Sequence, residues 1–158
     1  MTNFDVIILA RAIHIISVVI WIGGVAMVTL ALLPSIRKEN DQSQALVTFE
    51  KLEARFSTIA KVTTVLAAVS GFTLLHLLNG WARFQQTKHW WLYAMIIIWL
   101  LFSLILFVIE PFFLHKLKKR FSNYSASEIS LLIQRVHAIL LLLSLLTIAA
   151  AVAGSHGW

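Results

Sequence analysis

The sequence predicts an all-α integral membrane protein, a four-helix bundle of antiparallel up-down topology with both termini outside. Three observations carry that prediction. Of 158 residues, 59% are hydrophobic and 13% charged, with a mean hydropathy of +0.86. That leaves too little polar surface to cover a soluble domain of this size. Residues 12–33, 62–80, 90–109 and 136–158 contain no Asp, Glu, Lys or Arg, and a bilayer crossing needs ~20 such apolar residues. The basic residues also segregate. Arg37, Lys38, Lys51, Arg55 and Lys61 fall on the same side as Lys116, Lys118, Lys119, Arg120 and Arg135, whereas Arg11, Arg83 and Lys88 fall on the other. The positive-inside rule puts the larger set in the cytoplasm. The expectation is a multi-pass protein of a bacterial inner membrane, with its N- and C-termini and the 80–89 loop periplasmic.

The chain reads as one transmembrane domain, 1–158, with spans at approximately 8–33, 58–79, 90–114 and 132–154. Helix 1 is expected from about Phe4 to Leu33, stopping before Pro34. It is too long for a signal peptide and lacks a basic n-region, so it is expected to be retained. SIRKENDQSQ (35–44) reads as a loop. Apolar residues then return at Leu46, Phe49, Leu52, Phe56 and Ile59. That helical spacing predicts a cytoplasmic amphipathic extension, approximately 45–57, leading into helix 2. NGWARFQQTK is an outer loop. Helix 3 is expected from about His89 to Arg120 with a kink at Pro111. Ser125 and Glu128 have capping-box spacing for helix 4. Trp81, Trp90, Trp91, Tyr93 and Trp158 read as an aromatic belt at the outer boundary.

Several chemistries are excluded. The chain has no cysteine, hence no disulfide, thiolate site or iron–sulfur cluster. Any metal must use His, Met, carboxylate or backbone oxygen. The basic residues flank membrane spans, which argues against nucleic acid as partner. No Gly-rich phosphate loop is present.

The histidines are the informative residues. There are six, and polar groups at membrane depth are costly enough to mark function. At a rise of ~1.5 Å per residue, His14 and His76 lie roughly 9 and 10 Å outward of the middles of helices 1 and 2. They therefore share a level on neighbouring helices. Two such imidazoles could hold a haem iron in a dry slot between helices. His137 lies on the inner half, where it would ligate or bond Glu110. His89, His115 and His156 fall at the interfaces. Arg11, one turn outward of His14, suits a propionate or a lipid phosphate. Trp21 lies on the His14 face. Glu110 reads as a partner for Lys61 or Arg135 across the bundle.

HIISVVIWIGG (14–24), followed by a proline-ended span and a basic loop, resembles the opening of the copper-resistance D (CopD-like) membrane domain. It is also similar to the start of the HemJ-like membrane protoporphyrinogen oxidases, which are small and haem-b-associated. RVHAILLLLSLLTIAAAVAGSHG (135–157) is similar to the tail of small proteobacterial membrane proteins grouped near CopD. The resemblance implies that His14 is a metal or haem ligand, accompanied by Trp21. VTLALLPSIRKEN departs from the basic, aromatic first loop with an essential lysine of the HemJ-like proteins. Met1, Met27 and Met95 form no Met-x-Met pattern.

Three functional readings follow. The first is a haem-b membrane redox protein with cofactor-binding residues His14, His76, His137, Arg11 and Trp21. It would transfer electrons or oxidise a small molecule such as a porphyrinogen, with a quinone or other redox partner. The second is a CopD-type copper-handling protein, using His14, His76 and His156. The third is a non-catalytic membrane scaffold. In each the lipid bilayer is a partner, and small-residue helix faces would suit a homodimer.

Overall fold

The computed structural model describes residues 2–38, 42–110 and 126–156. Every regular element among them is helical. Helix α1 (Asn3–Met27) starts at a capping box. The Thr2 hydroxyl accepts from the Asp5 N–H at 3.3 Å, and the Asp5 carboxylate accepts from the Thr2 N–H at 2.9 Å.

The helix does not stop before Pro34 as the sequence predicts. It widens into a π-helical segment (Val28–Leu32) and runs on as α2 (Leu33–Lys38). A proline lacks the N–H of the α-helical ladder and its ring crowds the carbonyl four residues back. The wide turn relieves that crowding and frees carbonyls. One of them, the Thr29 C=O, accepts the Gln134 side-chain amide at 3.3 Å.

The predicted extension and the second span form one rod, α3 (Gln42–Leu77). Asn79 follows at φ 49°, in the left-handed region that Asn tolerates at a helix end. The predicted outer loop contains two short 3₁₀ turns, Gly80–Gln85 and Thr87–His89. Helix α4 (Trp90–Leu104) then ends in a second π segment, Ile105–Ile109. The predicted continuation to Arg120, the Pro111 kink and the Ser125 cap lie outside the described residues. The last helix, α5, spans Ala126–Ser155.

Four helical stretches are long and apolar enough to cross a membrane: Asn3–Ile36, Lys51–Leu77, Thr87–Ile109 and Ile133–Ser155. Their outward faces are as apolar as the interior. Leu30, Val19 and Leu142 are all more than half exposed, which water would penalise and lipid does not. The core draws on all four: Trp21, Ile22 and Val25 from α1, Ala60 from α3, Ile98 and Phe102 from α4, and Leu140 and Leu141 from α5. Trp21 meets Phe102 edge-on, with centroids 4.8 Å apart. Close approach of α1 and α3 requires glycine at 24, because a Cβ there would lie 1.8 Å from the Phe56 ring.

Candidate functional site

One cavity, of about 430 Å³, opens between the four spans near the end where α3 finishes and α4 begins. That volume lies within the roughly 300–1,000 Å³ typical of ligand sites. Its walls are mainly Leu, Ile, Val and Ala with the aromatic rings of Trp21, Phe72, Phe84, Trp91 and Trp99. Its polar side chains are few: Arg11, His14, Arg83, Ser144, Thr147 and Ser155.

His14 is held in one orientation. Its Nδ1 lies 2.9 Å from the Ala67 carbonyl and 3.2 Å from the Ser70 hydroxyl oxygen. A carbonyl can only accept, so Nδ1 carries the proton. The lone pair of the neutral ring is then on Nε2. The Ser70 hydroxyl is itself committed to the Leu66 carbonyl at 2.6 Å, which leaves its oxygen lone pairs towards His14. The Nδ1–Cε1 edge of the ring comes close to α3 because residue 71 is glycine. A Cβ there would stand 3.1 Å from His14 Cε1 and 3.3 Å from Nδ1. An Nδ1–H donated to a backbone carbonyl, with Nε2 carrying the lone pair, is the arrangement that orients a metal-binding imidazole. Sequence reasoning identified His14, but not the Ala67–Ser70–Gly71 cradle. The small residues of AAVSG were its available signal.

His76 is not brought to this cavity. The face of α3 that meets His14 carries Ala67, and His76 is nine residues further on, half a turn round the helix at 100° per residue. It is an exposed residue. Equal depth was legible in the sequence; facing was not, because the two helices pack through the other side of α3. His137 is also elsewhere. Its Nδ1 donates to the Ile133 carbonyl of its own helix at 2.9 Å. His156 lies at the exposed end of α5, bonded to the Val152 carbonyl at 2.8 Å. No group of three or more His, Asp or Glu that could hold a metal ion occurs among the described residues.

Arg11 and Trp21 do line the cavity with His14. Trp21 is 4% exposed and its indole N–H has no acceptor. Arg83, which the sequence reading passed over as a loop cation, lines the same mouth. Neither arginine has a carboxylate partner among the described residues. Trp91 leaves the predicted aromatic belt. It is buried against Ala151 and packs on Gly154, where a Cβ would lie 2.2 Å from its Nε1. Trp81, Trp90 and Tyr93 stay exposed, and the Tyr93 hydroxyl ties the 3₁₀ turn down through the Phe84 carbonyl at 2.7 Å. Comparison of the chain with protein-family models, characterised proteins and solved structures returns no match.

At the other end of the spans, Lys61 Nζ lies 3.1 Å from Glu110 Oε1, and the Ser57 hydroxyl donates to the same oxygen at 2.5 Å. Glu110 thus pairs with Lys61 and not Arg135.

Proposed function

We propose that this chain is a haem-b-binding redox protein of a bacterial inner membrane, with His14 as the histidine that would hold the haem iron. The observation that carries the reading is the oriented imidazole: Nδ1–H is committed to Ala67, and His14 lines a ligand-sized cavity with an aromatic wall. The other groups fit the same guest. A flat, mainly apolar molecule bearing carboxylates needs a dry slot and cations at its rim. Arg11 and Arg83 stand at the rim, and guanidinium is suited to carboxylate. Haem would supply one-electron chemistry at its iron. The protein's own part is to give the axial lone pair from His14, hold that ring through Ala67 and Ser70, neutralise the carboxylates and exclude water.

This reading revises the pairing of His14 with His76. Among the described residues His14 is the histidine at the cavity, so it is the imidazole that would hold the haem iron there, and haem so held would supply redox chemistry. The positive-inside rule, applied to an up-down bundle, places the Arg11–Arg83 mouth and both termini on the periplasmic side. A quinone-like donor could approach through the bilayer. The test is titration of the purified, ligand-free protein with ferric haem. Saturation at one haem per chain with a shifted Soret band supports the reading, and absence of a shifted band at stoichiometric concentrations sinks it.

A further inference from the structure

Lys51 and Arg55 play no part in the site above. We propose that they form a binding site for an anionic phospholipid, with its headgroup on the two cations and an acyl chain along Ile59, Val62, Leu66 and Val69. The proposal does not rest on the haem reading.

Helical phase brings these residues together. Ser57, Ala60, Thr64 and Ala67 are buried, and their spacing of three and four marks one face of α3. Arg55, Ile59, Val62, Leu66 and Val69 repeat that spacing and are all exposed. At 100° per residue the second row lies about half a turn from the first. Lys51, one turn before Arg55, continues the exposed row. The buried row meets the other spans. Ala67 accepts from His14, Ser57 donates to Glu110, and the Thr64 carbonyl accepts from the Trp99 indole. The exposed row therefore faces away from those spans, and in a membrane it faces lipid.

Depth places the cations at the headgroups. The span Lys51–Leu77 has 27 residues, about 40 Å at ~1.5 Å per residue. That matches a bilayer with its headgroups and exceeds the hydrocarbon core by about 10 Å. Lys51 and Arg55 occupy its first two turns, at headgroup level. From Ile59 to Val69 is about 15 Å, half of the ~30 Å core and hence one leaflet.

Charge selects the lipid. Lys61, further in, is paired with Glu110. Lys51 and Arg55 form no ion pair among the described residues, and Glu53 points to nearly the opposite side of α3 by the same phase. One turn separates the two cations, about 6 Å along the axis. A phosphodiester can accept from both, as a fork from the guanidinium and a point charge from the ammonium. A zwitterionic lipid brings its own cation to that phosphate. An anionic lipid leaves its charge to the protein, which is what draws interfacial Lys and Arg to it. Helix α5 supplies a comparison. Arg135 is exposed in a row with Ile139, Leu142 and Leu146, but no Lys or Arg lies within a turn of it.

The test uses the full chain, purified in non-ionic detergent and stripped of lipid. Phosphatidylglycerol or phosphatidylcholine with the same acyl chains is titrated in, and bound lipid is counted by native mass spectrometry. We expect phosphatidylglycerol to bind at least about fivefold more tightly, the scale of one or two interfacial cations. The double variant Lys51→Gln/Arg55→Gln should bring the two lipids within roughly twofold, whereas Arg135→Gln should keep the preference. Phosphatidylcholine binding unchanged in the double variant shows that its fold is intact. Excess glycerophosphate, which has the headgroup charge without the chains, should displace nothing. Displacement by glycerophosphate would assign the cations to a soluble phosphate and overturn the proposal. A wild type with a smaller preference, or a double variant that retains it, overturns it as well.

Discussion

The two ends of the four long apolar helices handle polar groups in opposite ways. At the Glu110 end, a carboxylate meets an ammonium and a hydroxyl, and the charges are spent on one another. At the cavity end, His14 spends one nitrogen on the backbone, while Arg11 and Arg83 meet no carboxylate among the described residues. A membrane protein leaves cations and lone pairs uncompensated only where something else completes them. The difference separates a structural lock from a candidate binding site, although both ends are built from the same apolar helices.

The largest expected effect falls on neither end but on the contact that sets their common frame. Gly24→Ala drives a methyl into the Phe56 ring and is expected to cost about 1–3 kcal/mol, as overpacking does. Thermal unfolding in detergent measures it. An unchanged midpoint would mean that α1 and α3 do not approach as described.

Next is the lock itself. Lys61→Met strands Glu110 and is expected to cost about 2 kcal/mol, less than the 3–5 kcal/mol of a fully buried pair because both partners are partly exposed. Adding Glu110→Gln should recover much of that loss. A double variant as unstable as Lys61→Met alone would argue that the pair is not the stabilising unit.

The cavity end should respond through binding rather than stability. Gly71→Ala presses on the His14 ring and should weaken ligand affinity roughly tenfold, about 1.4 kcal/mol, from a few tenths of an ångström of misplacement. Arg83→Gln removes one of two rim cations and should weaken it a few-fold, within the ~1 kcal/mol of an exposed charge pair. The Arg83 effect should fade in high salt while that of Gly71 does not. Equal salt sensitivity would place residue 71 among the electrostatic contributors, contrary to its contact with the imidazole.

Much of the fold was legible in the sequence. Charge-free runs mark the four apolar helices, and the Leu46–Phe49–Leu52–Phe56–Ile59 pattern marks the extension of α3. The helix through Pro34 was not legible, because a π segment is a local remedy that no residue type announces. The site was half legible. His14, Arg11 and Trp21 stand out by residue type and depth, and the structure gathers them. His76 has the same depth and type as His14. What separates the two is the rotation of α3, and in a helix surrounded by apolar residues the sequence carries little amphipathic signal to fix it. Arg83 was hidden for a related reason: a loop cation reaches a cavity only through the fold of its turn.

The contrast between His14 and His76 is therefore the most direct test of the account. We would express the wild-type chain, His14→Ala and His76→Ala in haem-replete cells, purify each in detergent and compare haem content and Soret absorbance per chain. The account predicts haem in the wild type, retained within twofold in His76→Ala and reduced at least tenfold in His14→Ala. A haem-free wild type, or loss in His76→Ala with retention in His14→Ala, would contradict it.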